Sequence, residues 1–196
     1  VMVKPFANLS ILSAEEVLHQ HVHLQPTAAE ALLGEMHALF PTIVVDLPRQ
    51  MNTLSHYVLA HADHTVLVVE PNLLNLRDTL RIRDYIVDTL KRPAPHAIVN
   101  KMGVASKFEL PMKEFVKHYG EAPFAEIPYI DEAFDAMNKG ELMLAHVKGK
   151  PLCDPLRELA GKISGKKTIA ATKKPSGKAK KPKPDLLQNL LQKVKK

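Results

Sequence analysis

Short apolar runs rich in β-branched residues recur along this chain. Each is stopped by a polar residue or a proline and then followed by residues at helical spacing. Thr42 to Val45 runs into Asp46 and Pro48, Thr65 to Val69 into Glu70 and Pro71, and Ala97 to Val99 into Asn100. Runs this apolar are poor solvated loops and too short for helices, so each predicts a buried strand. A short strand at Leu9–Leu12 precedes them, and Phe124–Ile127 adds a last one. Between the runs lie helical patterns. Thr27-Ala-Ala-Glu30 has capping-box spacing and predicts a helix through Phe40, with Leu32, Leu33 and Met36 on one face. Further helices are predicted from about Asn52 to Ala60, from Asn75 through Leu76, Leu80, Tyr85 or Ile86, and Leu90, from about Leu110 to Gly120, and from Asp154-Pro155 onward. Strands alternating with helices of this length predict an α/β fold in three layers, a mainly parallel sheet with helices on both faces.

In open sheets of this kind ligands bind beyond the carboxyl ends of the strands. A strand ending in Asp46 therefore offers a carboxylate at the rim of the core, where it suits magnesium. On this segment alone, an aspartate that merely caps the following turn is an equal alternative.

Composition bounds the rest. The 196 residues, 45% of them hydrophobic, suit one domain with a proper core. No apolar run approaches the roughly 20 residues of a membrane span. Val1 to Phe6 has neither the basic start nor the apolar stretch of a signal peptide, and a single Cys153 excludes an intramolecular disulfide. Both observations point to a reducing cytoplasm. The net charge of +6 is uneven: from Lys162 onward there are twelve lysines and one acid, whereas residues 1–161 carry 15 basic and 20 acidic side chains. An acidic body with a lysine-rich appendage predicts a folded part over 1–164, a flexible Lys/Pro-rich linker over 165–184, and a short helix over 185–196.

Four motifs in register resemble the MinD/ParA-like P-loop ATPases: Ile43-Val-Val-Asp-Leu-Pro48, Val66-Leu-Val-Val-Glu-Pro71 with Leu76-Arg-Asp-Thr-Leu-Arg-Ile82, Ile98-Val-Asn-Lys101, and Ile127-Pro-Tyr-Ile-Asp131 with Ala136-Met-Asn-Lys-Gly140. The resemblance covers roughly residues 7 to 163. Asp46-Leu-Pro-Arg49 and the opening Leu9-Ser-Ile-Leu-Ser-Ala-Glu15 look most like the CpaE/TadZ branch, which acts in Flp or tight-adherence pilus assembly. The resemblance implies ATP and Mg2+ as cofactors, a nucleotide-dependent homodimer, and pilus or secretion machinery as partners. It implies a Walker B role for Asp46, which holds magnesium through water. It also implies adenine contacts for Asn100, Pro128 and Ile130, and a switch-region position for Arg49.

The phosphate loop of that family does not occur here. Such a loop wraps backbone amides around a phosphate and ends in Gly-Lys-Ser or Gly-Lys-Thr. The Gly-Lys pairs that begin at Gly149, Gly161, Gly165 and Gly177 are followed by Pro, Ile, Lys and Ala. The expectation is a chain starting downstream of the N-terminal strands and phosphate loop, hence a binding platform inactive as an ATPase by itself. The rival readings are a partition or cell-division positioning ATPase and a nucleotide-free scaffold.

His19, His21 and His23 alternate as metal ligands on a strand can, but no cysteine or His-x3-His pair accompanies them, and a structural or exposed role outweighs a zinc site. His56, His61 and His64 read as surface imidazoles, and nothing marks Cys153 as activated. In the tail, Leu186, Leu187, Leu190, Leu191 and Val194 fall on one helical face behind the polybasic linker. Three readings stay open for it: peripheral attachment to an anionic inner-membrane surface, a partner helix, or a solubilising tail. Specific nucleic-acid binding is disfavoured, because no aromatic residue is interleaved with the lysines.

Overall fold

The computed structural model describes residues 2–13, 25–146 and 150–165. His19, His21 and His23, nearly all of the linker, and the apolar tail residues Leu186, Leu187, Leu190, Leu191 and Val194 lie outside them. The chain divides into two compact units at Leu54/Ser55.

The first unit holds a hairpin, β1 (Met2–Phe6) with β2 (Leu9–Leu12), paired antiparallel through Val3↔Ile11 and Phe6↔Leu9. Strand β2 answers the sequence expectation, and β1 adds a partner to it. Helix α1 spans Pro26–Leu39. Its N-cap is Gln25, without a side-chain cap, in place of the expected Thr27–Glu30 box: Pro26 fits the first turn, where a missing N–H costs nothing, and so draws Thr27 inside the helix. Thr42 to Pro48 corrects a second expectation. The segment is not a strand, and Val44 is 90% exposed. A strand requires a neighbour for its backbone groups, and among the described residues this one has none.

The second unit contains the sheet. Strands β3 (Val66–Val69), β4 (His96–Met102) and β5 (Ala125–Pro128) lie parallel in that spatial order, with Val69 opposite Val99 and Ile98 opposite Ala125. Helix α2 (Thr53–His61), which straddles the division, precedes β3 and buries Ser55, Val58 and Leu59. Helices α3 (Leu73–Asp84) and α4 (Met112–Tyr119) supply Leu76, Leu80, Phe115 and Tyr119 to one face of the sheet, against Val69, Ala97 and Val99. Helices α5 (Glu132–Asn138) and α6 (Met143–His146) follow β5. Helix α7 (Lys150–Ser164) covers the opposite face with Leu152, Leu156 and Leu159 against Ile98, Ala125 and Ile127. The three-layer parallel arrangement is therefore as expected.

Local chemistry sets the element ends. Helix α3 starts at Leu73 rather than Asn75, because the Asn72 side chain accepts a 2.9 Å hydrogen bond from the Asn75 amide and caps the helix. Its continuation, Tyr85–Thr89, is a π-helical turn closed by Leu90 N–H to the Tyr85 carbonyl at 3.0 Å, and the Tyr85 hydroxyl bonds His56 Nδ1. Gly120 ends α4 at φ 94°, a left-handed conformation that glycine adopts without steric cost. Helix α7 begins at Lys150, not at Asp154, so Pro155 lies inside it and Cys153 is a buried residue of it.

Candidate functional site at the carboxyl edge of the sheet

Strands β3, β4 and β5 all end on one edge, so the residues just past Val69, Val99 and Ile127 meet there. Asn100 is half-buried, two residues beyond Ile98 and thus on the α7 side of the sheet by strand alternation. Pro128 pairs in register with Met102, and Ile130 packs against the cluster that α7 covers. The fold thus brings Asn100, Pro128 and Ile130 to the same edge, with Asn100 and Ile130 on the same side of the sheet. Asn100 offers an amide with both a donor and an acceptor, and Ile130 supplies apolar surface at the same edge.

The other side of the same edge holds residues that sequence reasoning did not single out. Lys101 takes a left-handed backbone conformation at φ 58°, and its Nζ donates to Glu70 Oε1 at 2.6 Å, tying the ends of β3 and β4. Both side chains are about half exposed. The hydrogen bond to Glu70, and then the carboxylate's charge, raise the Lys101 pKa above its ordinary value. The ion pair lines a cavity of about 300 Å³ rimmed by Phe108, Tyr129 and Phe134. The loop after β4 is held by Glu109, whose carboxylate accepts from the Gly103 and Ala105 amides at 2.8 and 3.0 Å, and by Leu110 N–H to the Pro71 carbonyl at 2.8 Å. Glu70 and Lys101 stand in two of the motifs quoted above, but only the β3–β4 register reveals that they meet. Phe108 lies outside every motif and gave no signal.

Asp46 and Arg49 belong to the first unit, where both are exposed on irregular backbone. Among the described residues no three His, Cys, Asp or Glu side chains are grouped as a metal site. The Gly161-Lys162 pair sits in the last turn of α7, a helix interior and not a strand-to-helix turn. Among the described residues, this edge offers an amide and apolar surface, and neither a phosphate loop nor a group of metal ligands accompanies them.

Architecture and edge define a class: the α/β fold with a parallel sheet found in the MinD/ParA P-loop ATPases. No family model matches the chain. The septum site-determining protein MinD of Helicobacter pylori is 27% identical over 148 residues, covering 70% of this chain and 54% of that protein. A ParA family ATPase from Chlorobium tepidum superposes with a TM-score of 0.69 at 18% identity, over 81% of this chain and 65% of that one. MinD from Pyrococcus horikoshii, solved as its complex with Mg-ADP, superposes with a TM-score of 0.58 at 15% identity, over 71% of this chain and 59% of that one. The chain thus spans about half the length of the curated relative that it matches. Among the described residues no helix is long and apolar enough to cross a membrane.

Proposed function

We propose that this chain is the distal part of a nucleotide-dependent switch protein of CpaE/TadZ type, which positions pilus-assembly machinery through ATP-dependent dimerisation. The observation that carries the nucleotide part is the convergence of Asn100, Pro128 and Ile130 at the carboxyl edge of a parallel sheet with the MinD/ParA fold. The Asp46-Leu-Pro-Arg49 motif supports the branch. When bound, ATP with its magnesium ion would supply the energy difference between two assembly states. Asn100 would orient the base through its amide, Pro128 and Ile130 would exclude water from its face, and Asp46 would hold the metal through water. The likeness to a septum-site protein favours one second reading, a cell-division positioning ATPase with a different partner. In either case the tail, whose Leu186, Leu187, Leu190, Leu191 and Val194 recur at helical spacing in the sequence behind a polybasic stretch, serves in this proposal to hold the protein peripherally on an anionic inner-membrane surface from the cytoplasmic side.

The test is a chain extended upstream through a phosphate loop. That protein is expected to bind Mg-ATP, with Asp46→Ala removing magnesium dependence and Asn100→Ala weakening nucleotide binding with the magnesium dependence kept. Unchanged binding in both variants would refute the site assignment. Sedimentation with vesicles containing anionic lipid tests the tail: the full chain is expected to pellet and a chain ending at Gly165 to remain in solution. Equal sedimentation of the two would refute the membrane role.

A further inference from the structure

The amino edge of the sheet, at the opposite ends of the same strands, carries a row of side chains that the nucleotide reading does not use. His64 precedes β3, His96 opens β4, Phe124 precedes β5, and Lys162 lies in the last turn of α7. The His64 and His96 rings stack with centroids 6.2 Å apart, and the His96 and Phe124 rings are tilted at 5.9 Å. Lys162 Nζ sits 4.9 Å from the Phe124 ring centroid. Backbone bonds fix the scaffold of the row: His96 N–H donates to the Thr65 carbonyl at 2.9 Å, and Phe124 N–H to the Ala97 carbonyl at 2.7 Å. Phe124 belongs to the apolar cluster under α7, so the row is where the end of that helix meets the sheet.

We propose that His96, set between the rings of His64 and Phe124, forms a proton-operated latch, which keeps the last turn of α7 docked while its ring is neutral and releases it when the ring charges near Lys162. The balance of neighbours supports this. His64 from the loop before β3 and Lys162 from α7 both oppose a charge on His96, and Glu121 from the loop before β5 favours it. Burial is the largest influence, Lys162 and His64 add to it, and together they hold the His96 imidazole below its ordinary value. A histidine so depressed favours the folded state above its unfolded value of about 6.5, and that contribution is lost as pH falls through the lower folded value. Lys162 and Phe124 attract each other as a cation and a ring face, a contact too weak to withstand new positive charge placed beside it.

Amide exchange over 159–164 in the full chain tests the latch, measured at pH 7.5 and 5.5 and divided by the intrinsic rate at each pH. Protection is expected to fall severalfold at the lower pH, because His96 binds a proton more tightly when the last turn of α7 is released than when it is docked. His96→Gln is expected to abolish that fall, and Lys162→Met to reduce it. His64→Gln, at an exposed position, serves if His96→Gln does not fold, and is expected to halve the fall or more. Equal protection at both pH values in the wild type, or the same fall in every variant, would overturn the proposal.

Discussion

Thr42-Ile-Val-Val-Asp-Leu-Pro48 and Thr65-Val-Leu-Val-Val-Glu-Pro71 are close to the same sentence twice: a threonine, an aliphatic run rich in β-branched residues, an acid and a proline. The second contains β3, hydrogen-bonded along one side to β4, with Val69 buried. The first has no regular structure, and Val44 stands 90% in solvent. Propensity is therefore the smaller part of strand formation. The larger part is a neighbour that satisfies the backbone and a layer that covers the side chains, since β preference measures fit to a pleated, half-buried surface. Even β3 shows this within itself: Val69 lies under α3, whereas Val68, on the face where α7 covers β4 and β5, remains 67% exposed.

Substitutions of one kind in the two segments separate these contributions. Val99→Asp places a carboxylate where the side chain is fully buried between β3 and β5, and at a cost on the order of 3–5 kcal/mol it is expected to abolish the cooperative thermal transition. Phe115→Ala, under the same sheet face, should cost about 3–5 kcal/mol in a denaturant titration without altering the strand pairing. Tyr119→Phe removes a buried 2.6 Å hydrogen bond to the Pro95 carbonyl and should cost about 1 kcal/mol. Burial, reinforced by Glu121 and opposed by Arg83, pushes the Tyr119 phenol up to about 12. The wild type should therefore lose stability as pH rises from the unfolded value near 10 through 12, and the Phe variant should lose correspondingly less. Val44→Asp, in the exposed counterpart, should change stability by no more than about 0.5 kcal/mol. A large loss there would show that the first segment is already part of a core.

The sheet was legible where apolar runs and turn chemistry agree: β3, β4 and β5, the end of α4 at Gly120, and the two helical layers. The remainder depended on interactions that spacing does not encode. Pro26 outcompeted the Thr27 box, the Asn72 side chain captured the start of α3, and a π-helical turn replaced the last regular turn before Leu90. The placement of Asn100, Pro128 and Ile130 at one sheet edge was readable because each closes or follows an apolar run. The Glu70–Lys101 pair needed the parallel register and a left-handed backbone at Lys101, and neither is written in local composition. Asp46 was readable as an acid following an apolar run, but that run forms no strand among the described residues, because pairing is a tertiary property.

Hydrogen exchange of 42–47 and 66–69, in the 196-residue chain and in a chain extended upstream through a phosphate loop, tests most directly whether a neighbouring strand decides the difference. The β3 amides that bond β4 are expected to be protected in both proteins, while 42–47 exchanges freely in the first and becomes protected in the second. Protection of 42–47 in the shorter chain, or its continued free exchange in the extended one, would contradict the account.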